Sequence, residues 1–336
     1  MKNNDFTIVL CGYKNSNHTN WYPWFKFDEV FEYLGYDHIW WNSGEPLTIK
    51  GRRLFICWNE PISNELVSSG IYKTGDIILQ KVTALGKYDP HVNWGSNPGE
   101  FFKTWKWTTH RIVEELLDKD INIYAFGCRT NTELFEEKKR IADKLGDRFF
   151  QIPWGSSLYS MKEINDAVPI MDGFKQDLGF VGSVWGRVGR GNIDSWTDYM
   201  QPILRGTKTH ALAGIGLPES PANDPRHKEI IKTSALCPII NASAWRAEEG
   251  VQDRFWSVFT SGRFGVVDSL GIYQFFNEDE VVCETDPGEY VEKSLYYFNN
   301  IDKQLPFIEK AQKRIKEEYN YYITWSNIIE KIKKDN

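Results

Sequence analysis

The sequence predicts an α/β protein made of two Rossmann-like domains, and three observations predict it. At 336 residues the chain is longer than one hydrophobic core usually organises. Short apolar runs of strand length alternate with segments of helical period, the pattern of parallel sheets covered by helices. Around residue 180 a strand runs out into a loop of glycines and arginines, which is the composition of the ligand-binding end of an open α/β sheet.

Bulk composition narrows the class. Hydrophobic residues make up 41% of the chain, enough for packed cores, and 14 tryptophans with 15% aromatic residues are unusual. Aromatic rings pack well on sugar faces, although large rings also fill cores and interfaces. A net charge of −6 argues against a nucleic-acid backbone as the main partner. Cysteines 11, 57, 128, 237 and 283 are scattered and form no CxxC pair, so no disulfide framework or zinc site is implied and a cytoplasmic location fits. No apolar run approaches the length of a membrane span, the polar start is no signal peptide, and no internal repeat stands out.

In chain order, Thr7 to Cys11 reads as the first strand, followed by a polar and aromatic loop (Tyr13 to Trp24) and a helix with apolar positions at Phe27, Val30, Phe31 and Leu34, stopped by Gly35. His38 to Trp41 is the next strand. This β-loop-α-β opening is how a Rossmann-like domain starts, and its first loop, with His18 and Trp21, faces the cleft in such folds. Strands follow at Leu54 to Trp58 and Ile77 to Val82. Asp89 lies just beyond the latter, in a loop that turns at Pro90; it either works as a carboxylate base, with His91 and Glu60 behind it, or caps that turn. An aromatic and glycine-rich stretch from Val92 to Trp107 precedes helix Thr108 to Asp118, strand Ile121 to Phe126, helix Thr132 to Leu145 and strand Phe149 to Ile152. Pro153 to Ser157 begins a linker, and Pro169 to Lys175 leads into the second domain.

That domain opens with strand Leu178 to Val181 and a loop holding glycines 182, 186, 189 and 191 with Arg187 and Arg190, two phosphate-holding side chains. The spacing matches neither a P-loop nor a dinucleotide fingerprint. Helix Ser195 to Leu204, strand Thr209 to Ala213, a loop through Pro225, helix Arg226 to Thr233 and strand Leu236 to Ile240 continue the alternation. From Gly250 to Glu280 the reading is helix, tight turn at Ser261-Gly262, and buried strand Phe264 to Asp268. Arg254 falls in the first turn of that helix, where unpaired N–H groups and the dipole favour an anion, so a phosphate there meets a guanidinium as well. Helices Glu289 to Phe298, Pro306 to Tyr319 and Ile323 to Lys334 close the chain.

Val181-Gly182-Ser183 with Arg187 and Arg190, then Arg254-Phe255-Trp256-Ser257, Ser261-Gly262 and Phe264 to Asp268, resemble the donor-binding domain of GT-B glycosyltransferases. The nearest likenesses are the spore-maturation type and the phage DNA β-glucosyltransferases, over roughly the last half of the chain. The resemblance implies two Rossmann-like domains facing across a cleft: residues 1–165 for the acceptor, 166–305 for a nucleotide-diphosphate sugar, and 306–336 as helices packing back on the first domain. It implies that Gly182, Ser183, Arg187, Arg190 and Arg254 hold the pyrophosphate without a metal, that Leu217 to Asp224 lies near the nucleobase, and that Asp89 is the base. Where those families place a ribose-holding glutamate this chain has Ser257, whose hydroxyl forms no charge-assisted bond. The implied activity is sugar transfer, from a UDP-sugar in preference, to a hydroxyl of a glycan or glycoprotein, with no cofactor besides the co-substrate. Two alternatives stay open: a non-catalytic nucleotide-sugar or glycan binder on the same fold, and a DNA-base glucosyltransferase, against which the acidic balance weighs.

Overall fold

The computed structural model describes residues 3–12, 22–42, 44–57, 60–82, 112–128, 136–153, 155, 158–184, 186–187, 190–220, 224–243, 246 and 249–336. The first domain runs β1 (Asn3–Cys11), α1 (Tyr22–Tyr33), β2 (Tyr36–Trp41), β3 (Arg53–Cys57), α2 (Glu60–Ser68), β4 (Ile77–Val82), α3 (112–118), β5 (Ile123–Cys128), α4 (Glu136–Leu145) and β6 (Phe149–Ile152). Its six strands pair in parallel in the order β2-β1-β3-β4-β5-β6. Every residue of β3 is buried, as expected of a central parallel strand covered on both faces. Helix α2 is not marked by the sequence pattern because Pro61 interrupts it, but proline at the second helical residue sits where no intrahelical N–H bond is needed, and Ile62 and Leu66 bury below it.

After the short helix α5 (Met161–Asn165), capped reciprocally by Ser160 and Glu163, the second domain begins. It contains β7 (Gln176–Val181), the two-residue strands β8 (Gly186–Arg187) and β9 (Arg190–Gly191), and a continuous helical segment of α6 (Ile193–Ser195), a π turn (Trp196–Met200) and α7 (Gln201–Gly206). Then come β10 (His210–Ala213), α8 (Asp224–Lys232), β11 (Ser234–Leu236) and α9 (Asp253–Thr260). The sheet order is β10-β7-β11, all parallel. The expected strand Leu236 to Ile240 stops early for a chemical reason. Pro238 has no N–H to give, so the ladder with β7 ends at Leu236. Beyond it the N–H groups of Cys237 and Ile239 turn to Phe264 O at 2.9 Å and Val266 O at 3.1 Å. The expected strand at 264–268 is therefore joined to the sheet by single bridges, Ile239 to Val267 and Val267 to Cys283, rather than by a full ladder.

The chain ends in α10 (Pro287–Asn299), α11 (Leu305–Glu317) and α12 (Tyr321–Asp335). Helix α12 crosses to the first domain's sheet, where Trp325, fully buried, meets the rings of Phe27, Phe31 and Phe126 edge-on at 4.7, 5.8 and 5.5 Å. The expectation that all of 306–336 packs there is corrected for α11. Its Phe307 ring lies 6.0 Å from Phe264, and Gln312 donates to Phe259 O at 3.0 Å, both in the second domain. Asn320 caps α12 by accepting from Ile323 N, so the chain changes domain within a few residues. Among the described residues no helix is long and apolar enough to cross a membrane.

Candidate functional site

In the second sheet the chain passes from β7 to β10 on one side and then returns past β7 to β11 on the other. The switch point lies between β7 and β11, and a crevice opens there at the carboxyl ends of open α/β sheets. Arg254, the second residue of α9, spans that crevice. Its Nε donates to Val181 O at the end of β7 (3.2 Å), its Nη1 donates to Ile240 O beyond β11 (2.7 Å), and its guanidinium lies 4.2 Å over the Phe180 ring. Local structure dictates this reach: Gln252 is extended, α9 starts at Asp253, and the helix buries Phe255 to Thr260, so Arg254 is left at the mouth. No carboxylate pairs with it among the described residues. Burial is the largest influence on its pKa and lowers it, while the fields of Asp253 and Asp268 act the other way.

Gly182 follows β7 and makes room for this guanidinium. A Cβ there would stand 2.4 Å from Arg254 Nη2. The backbone beyond it runs alongside the loop after β10, with Gly182 N donating to Ala213 O at 2.9 Å and Val184 N to Ile215 O at 2.8 Å. Gly214 has φ near 145° and any Cβ on it would fall 1.3 Å from Gly182 O, so the pairing of the two loops requires glycine. Ser183 accepts on its carbonyl from Asn192 Nδ2 at 2.5 Å, which ties the start of α6 to the crevice rim.

The segment expected as an arginine loop is a hairpin. β8 and β9 pair antiparallel with Arg187 opposite Arg190 in register; the side chains of both lie outside the described residues. Gly182, Ser183 and Arg254 thus lie together at the carboxyl end of β7. Ser257 is not among them. It has 0% exposure, within a stretch of α9 that is buried on all sides, so its hydroxyl has no surface to offer a ribose in this conformation. Asp89, His91, His18 and Trp21 lie outside the described residues, and Glu60 is described only as the first residue of α2. In the region expected near a base, Glu219 is already committed: it bridges back to Ala213 and takes Arg226 on its carboxylate at 2.8 Å.

Two features of the crevice have no signature in the sequence. His227 in the first turns of α8 faces Asp253 and Arg254, its buried Nε2 has no hydrogen-bond partner, and its pKa falls to about 4, chiefly through burial, with Arg254 lowering it further. Arg246 pairs with the fully buried Asp268 at 2.8 Å. Each is a lone residue in a polar stretch, and only the fold gives it neighbours. Among the described residues no group of three His, Cys, Asp or Glu side chains is disposed to hold a metal ion.

No protein-family model matches the chain, and no curated protein matches it. Solved structures do. An α-glucosyltransferase in complex with UDP and a 13-mer DNA containing an HMU base superposes with a TM-score of 0.52 at 10% identity, covering 98% of this chain and 100% of that one. A putative UDP-N-acetylglucosamine 2-epimerase from Listeria monocytogenes gives 0.51 at 9% identity over 98% and 96% of the two chains. An α1,3-fucosyltransferase with GDP gives 0.50 at 9% identity over 98% and 90%. These likenesses run the whole length of the chain and show a GT-B type fold of two Rossmann-like domains.

Proposed function

We propose that this protein is a glycosyltransferase that takes a sugar from a nucleoside-diphosphate sugar, a UDP-sugar in preference, and passes it to the hydroxyl of a glycan acceptor. The observation that carries the reading is Arg254: a guanidinium without a carboxylate partner among the described residues, fixed across the switch crevice by two carbonyls. The similar structures support the class of ligand, since two were solved with UDP or GDP.

In an inverting transfer the acceptor oxygen attacks the anomeric carbon as the bond from that carbon to the phosphate oxygen breaks. The acceptor proton goes to a carboxylate, for which Asp89 is the proposed base, and the electron pair leaves with the nucleoside diphosphate. Negative charge grows on the diphosphate as the bond breaks. Arg254, with Arg187 and Arg190 as further proposed phosphate ligands, answers that charge and stabilises the transition state more than the ground state. Ser257 takes no part in this scheme.

The test is thermal unfolding against UDP, GDP, TDP, ADP, CMP and their common sugars, for the natural chain and Arg254→Ala. Ligand at about 100 times its dissociation constant adds about 2.7 kcal/mol, a shift of a few degrees for a chain of this size. One nucleoside diphosphate should stabilise the natural chain and not the variant, and product release from the matching sugar should follow. Equal stabilisation of both removes Arg254 from the site. A second acceptor reading, a modified DNA base, draws on the DNA-bound α-glucosyltransferase; the net charge of −6 weighs against it, and duplex binding that falls with salt would revive it.

A further inference from the structure

The peptide unit between Ile240 and Asn241 links two guanidiniums, Arg254 directly and Arg246 through the Asp268 carboxylate. On one side the Ile240 carbonyl accepts from Arg254 Nη1 at 2.7 Å. On the other, Asn241 N donates to Asp268 Oδ2 at 2.8 Å, and the same oxygen accepts from Arg246 Nη1 at 2.8 Å. Asp268 has 0% exposure and also accepts from Asn241 Nδ2 at 2.5 Å, so the carboxylate is locked in one orientation and fixes Arg246 with it. The Arg246 guanidinium stacks 4.3 Å over the Tyr199 ring, and Nη1 reaches Ser195 Oγ at 3.4 Å, at the start of the helix that follows the arginine hairpin. Its side chain is 18% exposed, and among the described residues Nε and Nη2 make no hydrogen bond, so two donors remain after the positioning contacts are made.

A buried carboxylate that merely neutralised a cation would face it with both oxygens in a fork. Asp268 instead spends one oxygen on the Asn241 side chain and shares the other, meeting Arg246 through a single nitrogen. We infer that Arg246 is a second phosphate ligand of the crevice, and that Arg254 and Arg246 together make the site select a nucleoside diphosphate over the monophosphate. Two linked phosphates can each take one of these two guanidiniums, whereas a single phosphate leaves one cation unused. Asp268 and Tyr199 are positioning residues, acting through Arg246. The inference deepens the nucleotide-sugar reading and rests on it.

The experiment is calorimetric titration with UDP and UMP, or the pair of whichever base stabilises the natural chain, for the natural protein, R246Q, R246K and D268N. The diphosphate-to-monophosphate affinity ratio of the natural protein should shrink about tenfold or more in R246Q, with monophosphate affinity nearly unchanged. It should be partly kept in R246K and partly narrowed in D268N, which keeps the cation but loses the carboxylate that orients it. Because R246Q strands a buried carboxylate, R246Q/D268N is measured beside it; it must show the same narrowed ratio, which separates ligand loss from a disturbed fold. An unchanged ratio in folded R246Q and R246Q/D268N overturns the assignment of Arg246 and leaves the nucleotide-sugar reading standing. If the natural chain binds no nucleotide, the parent reading falls and takes the inference with it.

Discussion

One added methyl group at Gly182 tests whether Arg254 works from the place the fold gives it. In Gly182→Ala the new Cβ would lie 2.4 Å from Arg254 Nη2 and 2.9 and 3.1 Å from two Phe180 ring carbons. The backbone at 182 is not in the left-handed region, so alanine is accepted there without strain of its own. What has to yield most is the flexible end of the Arg254 side chain, with a smaller shift of the Phe180 ring edge. Swinging the guanidinium aside breaks its bonds to Val181 O and Ile240 O. A hydrogen bond to a charged group contributes about 1.5–3 kcal/mol, so a phosphate deprived of this donor should lose about 10- to 100-fold in affinity. The assay is calorimetric titration with the best-bound nucleoside diphosphate for the natural chain, G182A, R254A and the double variant. If the methyl acts through Arg254, the double variant binds no more weakly than R254A alone, a strong departure from additivity. Additive losses, or normal binding by G182A, would refute the reasoning.

Two further outcomes follow from buried charge. The pKa of His227 is depressed to about 4 in the fold from a usual 6.5, so between those values the unfolded chain binds the extra proton and stability must fall as pH drops, levelling off below about 4. The full effect is up to about 3 kcal/mol, and H227Q should flatten that part of the pH–stability curve in urea titrations; parallel curves for the two proteins would show that His227 titrates normally. Asp76 is 2% exposed and accepts from Arg53 N, Arg53 Nε and Lys73 N at 3.1, 3.1 and 2.8 Å. Asp76→Ala strands the buried Arg53 guanidinium and should cost about 3–5 kcal/mol in urea unfolding, and a loss below about 1 kcal/mol would mean that water replaces the carboxylate.

How much of this was legible in the sequence depends on how local the determining interaction is. The all-buried β3 and the mostly buried β4 were readable because parallel strands covered on both faces carry apolar runs that do not alternate, Leu54 to Cys57 and Ile77 to Leu79. Arg254 was readable for a similar reason: its place in the first turn of α9 follows from the residues around it. Ser257 misled because apolar spacing at Phe255, Val258 and Phe259 implies a one-sided helix, whereas α9 is wedged so that Phe255 through Thr260 are all buried. Helix α11 misled in the same manner, since an amphipathic pattern says that one face is covered and not by which domain. The pairing of Arg246 with Asp268 had no sequence signal at all. The two residues are 22 apart and meet only because Pro238 ends one ladder and sends the next stretch of chain against 264–268.

The two sheets each have a switch point, and charge is what separates their uses. In the first domain it lies between β1 and β3, whose last residues face each other in register as Cys11 and Cys57. Both are buried free thiols, and burial, reinforced by the Cys57 neighbour, holds the Cys11 thiol well above its ordinary pKa, so this end of the sheet offers neutral sulfur. A diphosphate moved from water to these two thiols would lose hydration with no opposite charge from them in return. In the second domain the equivalent position is crossed by Arg254 and flanked by Arg246 and the arginine hairpin. Under the proposed function, this contrast in charge assigns the anionic half of a nucleotide sugar to the second domain. The proposed base, Asp89, comes seven residues after Val82, the last residue of β4, in the sequence of the first domain.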